Sequence, residues 1–268
     1  MSAPTLQVLI CTFGAEGLRR VAAMALPEIE GVGYLVSCQD PSGEVGGDGI
    51  LPQRSDIQLF IHKDKGLGLN RRHAMEHATG EFVLLADDDL VYDAAALEAA
   101  MGIMKGHPGL DIFAFRYSGA DDKIYPPGEH DLGTPYKNYN ITSFELAFRR
   151  GAVERIGVRF STLLGVGAPY LTAGEESVFL ERCLQAGLRG RFFPLTIVAH
   201  PGETTGFRAQ TRPGVIRSTA AHIRIKYGVG EGLLRCILLA RRLPVGFFKA
   251  FRYAVEGMVY SIRHDREL

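Results

Sequence analysis

The chain has 268 residues, 46% of them apolar, which is enough to bury the core of one large domain or of one domain with an extension. Lys+Arg and Asp+Glu number 30 each, so the overall charge points to no class of partner. The 32 glycines follow no fixed period, which excludes a collagen-like chain, and no repeat of solenoid length is present.

Leu6–Thr12 reads as a short β strand, and Leu18–Leu26 as a helix halted near Pro27. Gly33–Cys38 and Ile57–His62 read as strands, Arg71–Ala78 as a helix. Glu81–Ala86, with Phe82, Val83, Leu84 and Leu85 in succession, has the continuous apolar character of a central strand buried on both faces. Asp93 is placed to cap an Ala-rich helix running to about Lys105. Leu110–Tyr117 is a further strand, and Ser118–Asn140 a long loop or small hairpin rich in Pro, Gly, Asp and Tyr. Phe144–Phe148 follows as a strand, Glu175–Ala186 as a helix closed by Gly187, and Arg191–Ala199 as a last strand. This β-α-β rhythm predicts an α/β fold, a mostly parallel sheet flanked by helices on both faces.

The character changes after about Thr205. From Arg208 onward twelve Lys/Arg face four Asp/Glu, a net of +8. Phe247, Phe248, Phe251, Val255, Met258, Val259 and Ile262 recur there at helical spacing. We therefore expect residues 1–205 to form the main domain and 206–268 a basic amphipathic helical extension. Its stripe serves either to pack on the main domain or to meet an anionic membrane or a lipid-linked molecule. The start of the chain lacks the basic-then-apolar pattern of a signal peptide, and no run approaches the ~20 apolar residues of a membrane span. Cys11, Cys38, Cys183 and Cys236 lack C-x-x-C spacing and read as reduced thiols, as expected in the cytoplasm.

Three consecutive acids, Asp87, Asp88 and Asp89, follow the central strand. Ligands of open α/β sheets bind beyond the carboxyl ends of strands. Two like charges about 4 Å apart repel by about 4 kcal/mol at an effective dielectric of 20, and a divalent cation relieves that cost. In an extended segment Asp87 and Asp89 project to the same side, and oxygen ligands select a hard ion, Mg2+ or Mn2+.

The run Glu81-Phe82-Val83-Leu84-Leu85-Ala86-Asp87-Asp88-Asp89 resembles the strand and D-x-D motif of family 2 glycosyltransferases. Lys65-Gly66-Leu67-Gly68-Leu69-Asn70-Arg71-Arg72-His73-Ala74 is similar to that family's K-G-L-S-x-x-R-N-x-A segment, with Arg72 at the Asn position. Val8–Phe13 resembles its opening strand, and Asp40 stands where the family places an acid against the base. Gly165-Val166-Gly167-Ala168 resembles the glycine loop before the family's x-E-D motif; Gly174-Glu175-Glu176 matches that motif with Glu176 replacing Asp. Val198-Ala199-His200-Pro201 fits the histidine that closes the metal site.

The resemblance spans about residues 5–205. It implies a GT-A fold and an inverting transfer of a sugar from a nucleotide diphosphate, UDP by default, to an acceptor hydroxyl, in surface polysaccharide or glycolipid synthesis. It implies that Asp89, His200 and Asp87 hold Mn2+ or Mg2+, and that Thr12, Phe13, Asp40, Lys65, Gly66, Arg71, Asp87 and Asp88 contact the nucleotide sugar. Glu176 is the implied base, with Glu175 orienting it or binding acceptor. The implied partners are the donor and a glycan or lipid-linked acceptor, with no nucleic acid.

Other patterns compete. His73-Ala74-Met75-Glu76-His77 matches the H-x-x-E-H of some zinc peptidases. Gly66-Leu67-Gly68 hints at a dinucleotide fold, but Arg71 occupies the third glycine's place. A nucleotidyltransferase would carry a glycine- and basic-rich loop after the first strand, where Thr12–Gly17 lacks the basic residues. A non-catalytic module that binds nucleotide sugar or glycan without turnover is the alternative from another class.

Overall fold

The computed structural model describes residues 3–46, 49–119, 123–137, 139–201 and 210–268. Apolar runs become strands and the stretches between them helices: β1 (Leu6–Phe13), α1 (Gly14–Ala23), β2 (Val32–Gln39), β3 (Ile57–His62), α2 (Leu67–His77), β4 (Phe82–Ala86), β5 (Val91–Tyr92), α3 (Ala94–Gly106), β6 (Ile112–Gly119), β7 (His130–Asp131), β8 (Leu146–Arg149), α4 (Arg150–Ile156), α5 (Glu175–Gln185), β9 (Gly190–His200), α6 (Pro213–Arg242) and α7 (Phe247–Arg263). The chain folds as two compact units. The first comprises Met1–Lys65, Asn70–Val158 and Cys183–Gly202; the second comprises Gly66–Leu69, Arg159–Arg182 and Glu203–Leu268. The boundary expected at 205/206 and Arg208 lie outside the described residues.

In the first unit one sheet has the strand order β3-β2-β1-β4-β8-β6-β9-β5, with β7 paired to β9. β3, β2, β1 and β4 are mutually parallel, as are β6 and β9. β8 runs antiparallel between β4 and β6, and the short β5 and β7 pair antiparallel to β9. The largely parallel α/β sheet expected from the sequence is therefore present, interrupted by β8. β4 is buried throughout and ends at Ala86, so the chain delivers Asp87–Asp89 to the carboxyl end of a central strand. The Asp93 carboxylate accepts from Ala96 N at 2.9 Å, capping α3 as expected.

Some boundaries differ. α1 begins at Gly14 and ends before Pro27. The expected strand over Phe144–Phe148 opens instead with a 3-10 turn at Ser143–Glu145, closed by a Thr142/Glu145 capping box, and β8 starts only at Leu146.

The second unit contains α6 and α7. α6 bends at Gly228, whose φ of 74° and ψ of −173° only glycine adopts readily. The faces that bury α7 are made of small residues, Ala250, Ala254, Gly257 and Ser261, with Met258. A Cβ at Gly257 would stand 2.2 Å from the Arg217 carbonyl oxygen, so glycine permits the close approach to α6. Arg217 Nε and Nη2 then pair with Glu256 Oε2 at 2.8 and 2.6 Å. Of the apolar stripe, only Met258 joins this interface. Phe248 is 86% exposed, Val259 and Ile262 are also exposed, and Phe247, Phe251 and Val255 are half-buried. Against α6, then, α7 uses mainly small side chains and Met258.

Candidate active site

The three aspartates, just past the end of β4, have different surroundings. Asp88 is held by β1 and α1: Thr12 Oγ1 donates to it from β1, and Arg20 Nε and Nη2 on α1 reach its oxygens at 3.1 and 2.8 Å. That bond raises the Arg20 pKa, the Asp88 hydrogen bond outweighing burial. Asp87 turns the other way, with Arg71 Nη2 at 3.3 Å and the Ser143 hydroxyl at 3.4 Å. Arg71 is buried on α2, a fixed positive charge behind the cluster. Two of the three repelling carboxylates are therefore compensated by arginines of the chain itself.

Asp89 is 49% exposed, and its Oδ2 lies 3.5 Å from His200 Nε2 at the end of β9. The His200 ring stacks on Phe144, centroids 5.5 Å apart and planes 5° apart, so the turn that supplies Ser143 to Asp87 also orients His200. Ligand atoms around an ion bound at 2.1–2.2 Å stand about 3–3.5 Å apart. The Asp89–His200 pair, one hard oxygen and one imidazole nitrogen, fits a divalent cation with its other positions open.

Of the remaining expected donor contacts, all but Gly66 lie in the first unit. Asp40 is buried, and its carboxylate accepts from Ser42 Oγ at 2.9 Å and from the amides of Gly43, Glu44 and Val45 at 3.1, 3.2 and 2.9 Å. These bonds, Val45 N foremost, hold its pKa below the usual carboxylate value. Asp40 thus builds its own loop at the end of β2. Thr12 is buried against Asp88, whereas Phe13 is 49% exposed at the end of β1. Lys65 is exposed after β3.

In the second unit, Gly66 adopts φ 130°, and a Cβ at Gly68 would stand 2.1 Å from Ser161 O. Gly68 is therefore a packing glycine against the 161–164 segment, which accounts for it without a dinucleotide. Glu175 opens α5 and is buried; a Cβ at Gly165 would come within 2.9 Å of its Oε2. Glu176 is half-buried, and Ser177 Oγ donates to its Oε1 at 3.2 Å. Both acids lie in the first turn of α5, where the helix dipole favours negative charge.

Nothing in the sequence singles out Arg20, Ser143 or Phe144. Arg20 reaches Asp88 across 68 positions, and no local pattern encodes such a pairing. The H-x-x-E-H pattern does not assemble as a peptidase pair. His77 Nδ1 donates to the His73 carbonyl oxygen at 2.9 Å, and its ring packs on Phe60 with centroids 3.7 Å apart.

Residues 48–164 match the family model described as Glycosyl transferase family 2. That span contains Asp87–Asp89 and Arg71 but neither Glu175 and Glu176 nor His200. No curated protein sequence matches the chain. Among solved structures, S. aureus TarS 1-349 in complex with UDP has a TM-score of 0.58 at 15% identity, over 97% of this chain and 92% of that one. The same TarS fragment with UDP-GlcNAc gives 0.57 at 13% identity, over 98% and 92%. Mannosyltransferase PcManGT from Pyrobaculum calidifontis, in complex with GDP-Man and Mn2+, gives 0.56 at 14% identity, over 98% and 76%. Against the longer S. aureus TarS structure the chain spans 44% of the relative's length. Residues 48–164 are thus similar to family 2 glycosyltransferases, and the chain as a whole has the GT-A fold of these solved structures.

Proposed function

We propose that the chain transfers a sugar from a nucleotide diphosphate to an acceptor hydroxyl by single inverting displacement, assisted by Mn2+ or Mg2+. The observation that carries this reading is the Asp89–His200 pair at the mouth of β4, backed by the Arg71–Asp87 contact. A cation held there supplies positive charge that offsets the charge developing on a leaving diphosphate. The donors in the neighbouring structures, UDP-GlcNAc and GDP-Man, support a nucleotide sugar. Thr12, Phe13, Asp40, Lys65, Gly66, Arg71, Asp87 and Asp88 are the proposed donor contacts, with Arg71 and Lys65 adding positive charge. Glu176 is the proposed base for the acceptor hydroxyl, and Glu175, packed beside Gly165, the group that fixes its helix turn. The acceptor is a glycan or lipid-linked sugar of surface polysaccharide or glycolipid synthesis, handled in the cytoplasm. A thermal-shift screen of nucleotide sugars with Mn2+ identifies the donor: stabilisation by one nucleotide series is expected, and a nucleotide that binds without ever being turned over would favour the binding module.

A second reading concerns location. Among the described residues no helix is long and apolar enough to cross a membrane. On α7, Phe248, Phe251, Val255, Val259 and Ile262 share one face, with the exposed Arg252 and Arg263 beside it, and Leu233, Leu234 and Leu238 are exposed on α6. Outward apolar side chains flanked by cations fit the interface of an anionic bilayer. The chain should sediment with vesicles containing phosphatidylglycerol and less with pure phosphatidylcholine. Each buried Phe or Ile contributes about 1.5–3 kcal/mol, so Phe248→Asp with Ile262→Asp should weaken binding by roughly 100-fold. Equal sedimentation of the double variant would rule this surface out as the membrane contact.

A further inference from the structure

Sugar transfer leaves one group of metal-binding side chains unused. His62 ends β3, Asp64 follows two residues later, and His73 lies on α2. Each offers one donor atom, and the three atoms lie within 4.8 Å of one another, the only such group of three among the described residues. The two imidazole rings are 4.4 Å apart.

The hydrogen bonds around these rings set their protonation. Asn70 Nδ2 donates to the carbonyl oxygens of Thr12 and Ser37 at 3.2 and 3.1 Å, which turns its Oδ1 toward His62 Nε2 at 3.0 Å. Oδ1 can only accept, so the His62 proton sits on Nε2 and Nδ1 carries the lone pair. Nδ1 is buried and has no hydrogen-bond partner. His73 differs: its Nε2 is hydrogen-bonded to Asp64 Oδ2 at 2.9 Å and gives up that proton when a cation binds, while Nδ1 faces Glu76 at 3.4 Å and can take the proton there.

Metal-binding histidines characteristically hold their second ring nitrogen against a carbonyl or carboxylate that fixes the tautomer. Asn70 and Glu76 occupy those positions here. The H-x-x-E-H segment therefore contributes His73 as a ligand and Glu76 as its orienting group, while His77 bonds its own helix.

We infer that His62, Asp64 and His73 form a second cation site, selective for Zn2+ and similar borderline ions, which fastens the end of β3 to α2. Two imidazoles and one carboxylate select Zn2+ over Mg2+ or Ca2+, and a tetrahedral ion takes water as its fourth ligand. This role is structural, and it does not rest on the proposed sugar transfer.

The test is isothermal titration of Zn2+ into the full chain carrying Asp89→Asn, which removes a ligand from the other cation site, with Co2+ absorption as a second readout. We expect one equivalent of Zn2+. Adding His73→Gln, or Asp64→Asn, lowers its affinity at least tenfold and abolishes the tetrahedral Co2+ bands, whereas adding His77→Gln changes neither. The inference is overturned if the Asp89→Asn chain binds no Zn2+, if His73→Gln and Asp64→Asn leave the affinity unchanged, or if His77→Gln weakens it as much as His73→Gln does.

Discussion

Asp89→Asn is expected to lower Mn2+-dependent nucleotide affinity by roughly 100-fold or more. Removing a group that merely orients a ligand already costs about 10–100-fold in metal affinity, and Asp89 is proposed as a direct ligand. The substitution keeps the side chain's size and removes its charge. Asp89 is 49% exposed, so little packing is lost. Titration of UDP and GDP in the presence of Mn2+ measures the effect, and unchanged affinity would count against Asp89 as a ligand.

The second large effect is expected at α5. Glu176→Gln should preserve donor binding and reduce transfer by roughly 10²–10⁴-fold, the range that a positioned general base contributes. Its partner Ser177 Oγ can still donate to the Gln amide oxygen, so the helix turn should survive. The readout is kcat with a saturating donor, alongside donor affinity. Turnover retained in Glu176→Gln would assign the base elsewhere, and affinity lost with turnover would place Glu176 in donor binding.

The sheet is legible in the sequence where burial is continuous. β4 falls within one residue of its expected place because a run such as Phe82–Ala86 is stable only when buried on both faces; β3 also falls where expected, Ile57–His62, although it is only partly buried. The Asp93 cap is legible because its bond spans three residues. β8 is not: four residues carry no sign that they pair antiparallel with β4 on one side and β6 on the other. The direction of the α7 stripe is also hidden. Spacing groups Phe248 with Ile262 but does not say whether that face or the Ala250–Ala254–Gly257 face meets α6; a close backbone approach at Gly257 decides it.

At the candidate site, residue types and order are legible, and partners are not. β4 ends at Ala86 and Asp88 and Asp89 lie in a turn, so the direction of each carboxylate follows from the turn and not from strand alternation. That Arg20 takes Asp88, and that four donors of its own loop surround Asp40, depends on contacts between segments, or on a turn geometry that residue type alone does not specify. The histidines of the H-x-x-E-H pattern are visible as a motif, yet the companions of His73 are His62 and Asp64 from a neighbouring strand end.

Whether a divalent cation at Asp89 and His200 joins the chain to a nucleotide diphosphate can be decided by melting the wild-type chain with each nucleoside diphosphate in paired samples, one with Mn2+ and one with EDTA. A cation bridge predicts a rise in Tm only in the Mn2+ member of the pair. An equal rise in EDTA would contradict it.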